Sequence, residues 1–331
     1  MEYGVGSNNI VLYKELMDRD VPLEVRRHPG MISPDERRFF YNYVAEHYTG
    51  KGVIVDGGAL LGASTRCFGE AINASPRRAE ILAKWPKPIH SYERTLMTPN
   101  LLRSFAAWRR GPDINAGDSF ERVLRDEIED IAGMVELNVG DILAMRWSGE
   151  PIEILFLDVL KTPEINRHAL REYFPRLVPG ALVIQQDYFI DSLPYIKTTQ
   201  EAMSDHFDFV AQLRPTGVFQ LKQSLSHEVL AAAEDISTVR QLELIDAAKQ
   251  RALEPYRKIL VEISKIHVLA RGERKAEAVA LLDSIAAEVS DDAPWRLNDS
   301  LDRARRILRL PMRRPGGGWI PPLPERKAAS Q

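Results

Sequence analysis

The stretch Lys51-Gly-Val-Ile-Val-Asp56-Gly57-Gly58-Ala-Leu-Leu-Gly62-Ala63-Ser64-Thr65 is the part of the chain whose pattern decides the fold. A short apolar run ends on an acid and breaks into a glycine-rich turn. A small-residue helix start follows. Strand, acid, glycine turn and helix in that order build the ligand crevice of an open α/β sheet. Glycine lets the backbone approach a ligand closely, and a helix N-terminus offers unpaired N–H groups to an anionic part of it.

Three ligand patterns can be tested against this turn. The dinucleotide fingerprint G-x-G-x-x-G needs a spacing that Gly57, Gly58 and Gly62 do not have. The phosphate-loop pattern G-x-x-x-x-G-K-[ST] is nearer, with Gly57, Gly62 and Ser64 in place. Ala63, however, stands where the lysine would neutralise phosphate charge. The third, D/E-x-G-x-x-x-G, is met in full by Asp56, Gly58 and Gly62. In this the region resembles the class I S-adenosylmethionine (SAM)-dependent methyltransferases.

Outward from the turn, strand-like and helix-like segments alternate. Ser33-Pro34-Asp35-Glu36 has the composition of a capped helix start. Phe39, Phe40, Tyr43, Val44 and Tyr48 give that helix an aromatic face suited to core packing. Apolar runs at Val53–Val55, Ile89–Tyr92, Val135–Val139, Ile152–Leu157 and Ala181–Ile184 read as parallel strands covered on both faces. The 96–131 interval exceeds a simple crossover and is expected to hold a lid or a substrate-facing insertion. Phe207–Leu213 and Val218–Leu221, joined through Arg214-Pro215-Thr216-Gly217, form a hairpin at the sheet edge. The expectation is an α/β fold: a Rossmann-like, seven-stranded, mostly parallel sheet with an antiparallel terminal hairpin, plus a C-terminal α-helical extension. An antiparallel end to such a sheet is a further resemblance to class I methyltransferases.

Four regions follow: a lead-in over 1–32, a SAM-dependent methyltransferase-like domain over 33–225, a helical extension over 226–310 and a flexible tail over 311–331. Pro255 is expected to kink or divide the long helical run of the extension. Gly316–Gly318 and Pro321-Pro322 mark the tail.

Ligands of such sheets sit at the carboxyl ends of the strands. Each of the five parallel strands is followed there by an acid: Asp56, Glu93, Asp141, Asp158 and Asp187. SAM, which the resemblance implies, suits this pattern. Glu93 is placed to accept the ribose hydroxyls and Asp141 the adenine amino group. Gly57, Gly58, Gly62 and Ser64 belong to the turn that would hold the methionine end, with Asp56 beneath it orienting the amine.

The run from Asp158-Val-Leu-Lys161 through Leu170-Arg-Glu-Tyr-Phe-Pro-Arg-Leu-Val-Pro-Gly180 to Gln185-Gln186-Asp187-Tyr188 resembles the macrocin-type sugar O-methyltransferases. The spacing Asp158-x-x-Lys161 also resembles the catechol-type O-methyltransferases. These resemblances imply that Asp158 and Asp187 bind a divalent cation, magnesium, and that Lys161 is the general base, its pKa lowered by a neighbouring cation or by burial. Gln186 departs from the paired acid of that pattern, and Asp158-Val-Leu lacks a second acid. His168 and His206 fall away from the strand ends.

The 331 residues are 44% hydrophobic and 27% charged, with formal net charge −3 and a pI near 6.2. No global basic field marks a nucleic-acid binder. One cysteine, Cys67, excludes an internal disulfide framework. No run approaches the ~20 apolar residues of a membrane span, and Met-Glu-Tyr-Gly-Val-Gly-Ser lacks the features of a signal peptide. A cytoplasmic protein is expected, with a small hydroxyl-bearing substrate as partner and neither nucleic acid nor membrane. The C-terminal helices are a candidate surface for homo-oligomer assembly. Two functions stay open: an O-methyltransferase acting on a sugar or other polyhydroxylated small molecule, with or without a metal, and a non-catalytic binding or assembly protein on the same fold.

Overall fold

The computed structural model describes residues 11–290, 293–313 and 319–320. Contacts divide it into two units. The first comprises Met1–Asp187 with Met203–Glu234, the second Tyr188–Ala202 with Asp235–Gln331.

In the first unit a 3-10 turn, Lys14–Asp18, and α1 (Leu23–Arg27) precede α2 (Pro34–His47). The capping box of α2 forms, with Ser33 Oγ accepting from the Glu36 N–H and Glu36 Oε2 accepting from the Ser33 N–H. Then come β1 (Val53–Gly57), α3 (Ala63–Ala74), α4 (Arg78–Lys84) and β2 (Ile89–Glu93). The 96–131 interval folds as α5 (Pro99–Trp108) and α6 (Glu121–Glu127). Next follow β3 (Val135–Val139), β4 (Ile152–Leu157), α7 (Pro163–Glu172) and β5 (Leu177–Gln185). After α8 (Pro194–Ala202), the first unit resumes with β6 (Phe207–Leu213), β7 (Thr216–Leu221) and α9 (His227–Glu234).

The sheet order is β3-β2-β1-β4-β5-β7-β6. β1 to β5 run parallel, and β7 is antiparallel to both β5 and β6. This is the Rossmann-like sheet with antiparallel hairpin that the sequence predicts. β1 and β4, at its centre, are buried throughout, as befits apolar runs between two helical layers. The hairpin loop is tighter than expected, only Arg214-Pro215. Arg214 adopts φ 57°, the sign that primed two-residue turns need at their first position. The aromatic face of α2 is core: Phe40 stacks on Phe68 of α3 and packs against Phe156 of β4.

The described part of the lead-in, from Val11 onward, is tied to the sheet unit. Val11 and Leu12 donate to the carbonyl of Val210 on edge strand β6. Arg37 of α2 donates to the carbonyls of Val25 and Ile32, fixing the loop beyond α1.

The second unit contains α8, α10 (Thr238–Arg251), α11 (Pro255–Arg271), α12 (Lys275–Glu288) and α13 (Trp295–Leu308). Pro255 does divide the long helical run, standing at the first position of α11. Apolar residues of α11, α12 and α13 form a separate core around Ile263, Ile266, Leu282 and Ala304. The division does not follow a cut at residue 225: α8 joins the helical unit and α9 the sheet unit. Of the tail, β8 (Met312–Arg313) and β9 (Trp319–Ile320) pair antiparallel. Gly316–Gly318 and Pro321-Pro322 lie outside the described residues. Among the described residues no helix is long and apolar enough to cross a membrane.

Candidate functional site

The glycine turn is held from three sides. Gly58 and Ala59 donate to the Tyr92 carbonyl at the end of β2, and Leu60 donates to Glu93 Oε2 at 2.7 Å. Gly58 has φ +104°, and a Cβ there would lie 3.2 Å from Asp158. Gly62 has φ +81°, and its Cβ would meet Ile128 Cγ2 at 2.3 Å. Both positions need glycine for conformation and for space. From the lead-in, His28 Nε2 contacts the Leu61 carbonyl at 2.6 Å. Gly30 passes so close to Ala63 that a Cβ on it would fall 2.4 Å from the alanine methyl. Ala63 is thus buried against the lead-in, where the phosphate-loop pattern would carry a lysine.

Asp56 is fully buried. Its Oδ1 accepts from Ser64 Oγ at 2.8 Å, and its Oδ2 from Thr65 Oγ1 at 2.5 Å and Ser91 Oγ at 3.2 Å. Burial pushes its pKa up to about 6, with the three hydroxyls opposing that rise. The expectation that Asp56 orients a cofactor amine is thus corrected: the carboxylate ties the first turn of α3 to β1 and β2. The Ser64 hydroxyl is committed to Asp56 as well, which leaves the expected part of Ser64 in the turn to its backbone N–H. Gly57 lies within β1 and accepts at its carbonyl from the Asp158 N–H at 2.7 Å, joining the ends of β1 and β4.

Glu93 and Asp141 end neighbouring strands. Glu93 accepts from the Leu60 and Thr95 N–H groups, one on each oxygen. Its pKa is raised by burial, with those amides opposing. A carboxylate oxygen has two lone pairs, so each retains acceptor capacity. Asp141 is exposed and caps a short 3-10 turn through the Leu143 N–H. The Gly140 N–H donates to the Glu93 carbonyl and ties the two loops together.

At the ends of β4 and β5, Lys161 Nζ lies 2.5 Å from Asp158 Oδ1 and 2.7 Å from Asp187 Oδ2. Thr162 caps α7 and Pro163 opens it, so the lysine sits just before the helix. Its own N–H bonds to the Val159 carbonyl at 2.6 Å, a tight turn that keeps it beside Asp158. Burial alone would lower the Lys161 pKa, but the two carboxylates outweigh it and the pKa is raised. Lys161 as a base with lowered pKa is therefore corrected: it is an ammonium paired with two carboxylates. Asp158 is pushed up to about 7, chiefly by burial, with Lys161 opposing and Asp187 reinforcing. Asp187 adopts φ +62°, a left-handed conformation uncommon outside glycine and found at functional and turn positions.

The sequence reading pairs Asp158 with Asp187 but misses that Lys161 bridges them, since spacing does not show which way a loop folds back. It also misses the second task of Glu36, whose Oε1 accepts from Thr216 Oγ1 on β7. Gln186 Oε1 is buried with no hydrogen-bond partner among the described residues. Among the described residues no three His, Cys, Asp or Glu side chains converge as a metal-ligating group. His168 lies on α7 and His206 just before β6, away from these strand ends as expected. An open hollow lined by Lys87, Arg125, Glu129 and Glu136 lies at the opposite, amino-terminal ends of β2 and β3.

Solved structures similar to this chain include two methyltransferases. One is the O-methyltransferase NovP, 15% identical with a TM-score of 0.43, covering 60% of this chain and 88% of its own. The other is a methyltransferase from Geobacter sulfurreducens, 17% identical with a TM-score of 0.34, covering 58% and 81%. No protein family model and no curated protein matches the sequence.

Proposed function

We propose that this chain is a SAM-dependent O-methyltransferase that methylates a hydroxyl of a sugar or another small polyhydroxylated molecule. The observation that carries this is the junction of the glycine turn with Glu93: one carboxylate at the end of β2 holds the turn and keeps acceptor capacity beside it. Adjacent hydroxyls of a ribose are two donors that one such carboxylate can accept together. Gly58, which has room for no side chain against Asp158, brings the turn directly beside the end of β4. Asp141, in the loop tied to Glu93, suits an amino donor such as that of adenine.

When bound, SAM would supply a sulfonium methyl group for in-line transfer to an acceptor oxygen, with S-adenosylhomocysteine as the leaving group. The chain's own residues then have three tasks: to orient the acceptor hydroxyl, exclude water and take up a proton. Asp158 is our candidate for the proton. Its pKa near 7 lies in the range where a carboxylate is an effective base at neutral pH. Its Oδ2 has no hydrogen-bond partner among the described residues, Oδ1 being engaged by Lys161. The Lys161 ammonium would orient the acceptor oxygen and balance the charge of Asp158 and Asp187. The polyhydroxylated substrate is supported by this grouping of two acceptors and one donor side chain at one strand-end crevice.

A calorimetric titration with S-adenosylhomocysteine tests the proposal. Saturable binding is expected, weakened about 100-fold by Glu93→Ala through loss of the charged acceptor. Glu93→Gln, which keeps one acceptor oxygen, should lose less. Equal affinity in wild type and both folded variants would refute the site.

A further inference from the structure

The position between Asp158 and Asp187 already holds a cation. Lys161 Nζ touches one oxygen of each carboxylate, at 2.5 and 2.7 Å. These are the two acids for which the sequence resemblance implies a divalent ion. The third group of that pattern is altered here, because Gln186 contributes a neutral amide where an acid would add charge.

A hard divalent cation takes about six oxygen ligands. The protein offers two carboxylates and at most one amide oxygen here, and an ammonium occupies the shared face of the carboxylates. Adding a divalent ion beside Lys161 would set three positive charges against two negative ones, with the cations in contact. At such distances the repulsion is severe unless the lysine leaves. The turn that bonds the Lys161 N–H to the Val159 carbonyl, and the cap of α7 immediately after it, keep its backbone beside Asp158. With the ammonium between the two carboxylates, the residues present do not fit a divalent metal.

We infer that the Lys161 ammonium is the resident cation of this site, standing in for a divalent metal between Asp158 and Asp187. It neutralises one of the two carboxylates, holds the ends of β4 and β5 together and offers a donor to an acceptor oxygen. Its catalytic consequence, methyl transfer without added metal, rests on the function proposed above. Occupancy of the position does not.

Mn2+ binding to the full chain without cofactor, followed by electron paramagnetic resonance, tests this. Wild type should bind Mn2+ no more tightly than about 1 mM. Lys161→Met should vacate the position and raise the affinity at least about 10-fold, and Asp158→Asn in that background should abolish the gain. Lys161→Arg should behave as wild type, and Lys161→Gln serves if the methionine variant does not fold. Tight wild-type binding that Asp158→Asn removes would overturn the inference. So would folded Lys161→Met and Lys161→Gln variants with no gain. S-adenosylhomocysteine titrations on the same preparations separate the two proposals. Their failure alongside the expected Mn2+ pattern would sink the methyltransferase function and leave the resident cation standing.

Discussion

At the scale of single residues, Asp56 shows how burial can redirect an expected contact. An acid closing a strand before a glycine turn is legible in the sequence, and its position is as predicted. Its partners are not legible, because they depend on how α3 and β2 turn their hydroxyls inward: Ser64 and Thr65 from one, Ser91 from the other. The same applies to Lys161, whose spacing from Asp158 is plain but whose second carboxylate lies 26 residues away. The Asp56 pKa carries a prediction. Raised from 3.8 to about 6, it means that the folded state holds the proton more tightly than the unfolded chain. Its contribution to stability is fully present below 3.8 and is lost as the pH rises through 6, a change on the order of 3 kcal/mol. Urea unfolding of wild type and of Asp56→Asn, at several pH values between about 4 and 7, should show the wild type losing stability relative to the variant as pH rises. A wild type that instead gains stability relative to Asp56→Asn as the pH rises would mean that the hydroxyl bonds of the ionised form outweigh its burial.

At the scale of elements, the turn between β1 and α3 concentrates the constraints. Strand and helix were legible from apolar runs, capping residues and glycines, signals that act over a few neighbours. What covers the turn was not, since His28, Gly30 and Ile128 come from elements with no local tie to it. Gly62 tests this packing. Alanine there must adopt φ +81° and meet Ile128 Cγ2 at 2.3 Å. Backbone strain of about 1–2 kcal/mol and overpacking of about 1–3 kcal/mol should together destabilise the chain by about 2–5 kcal/mol. Ile128→Ala removes the opposing methyl, so the double variant should recover the packing part and not the strain. A double-mutant cycle by thermal unfolding should therefore give favourable coupling of about 1–3 kcal/mol. Strict additivity would show that Gly62 is required for its backbone conformation alone.

At the scale of the whole molecule, the sequence yields the sheet and the helical extension but not how the chain is shared between them. Composition changes near residue 225, and a cut there is the natural one to draw. The compact units instead interrupt each other, with Tyr188–Ala202 leaving the sheet unit between β5 and β6 to pack among the C-terminal helices. Nothing local marks that excursion, because α8 is buried on nearly every side and the helices that bury it, α10 and α11, lie far downstream in the chain. Within the helical unit Glu201 of α8 pairs with Arg251 of α10, and Ile196 and Lys197 are buried. A chain ending at Glu234 keeps every residue of the sheet unit but strips α8 of α10 and α11. It should expose apolar surface, bind a hydrophobic dye and lose a sharp unfolding transition. Replacing 188–202 in that truncated chain by a Gly/Ser linker of equal length removes the stranded helix at small loop-closure cost. That version should regain cooperative unfolding, and it should bind S-adenosylhomocysteine if the first unit alone carries the cofactor site. Cooperative, dye-free unfolding of the simple truncation would show that α8 does not depend on the helices it packs against. Failure of both chains to fold would mean that the sheet unit draws its stability from the second unit, and that the two units are one folding entity despite their separate cores.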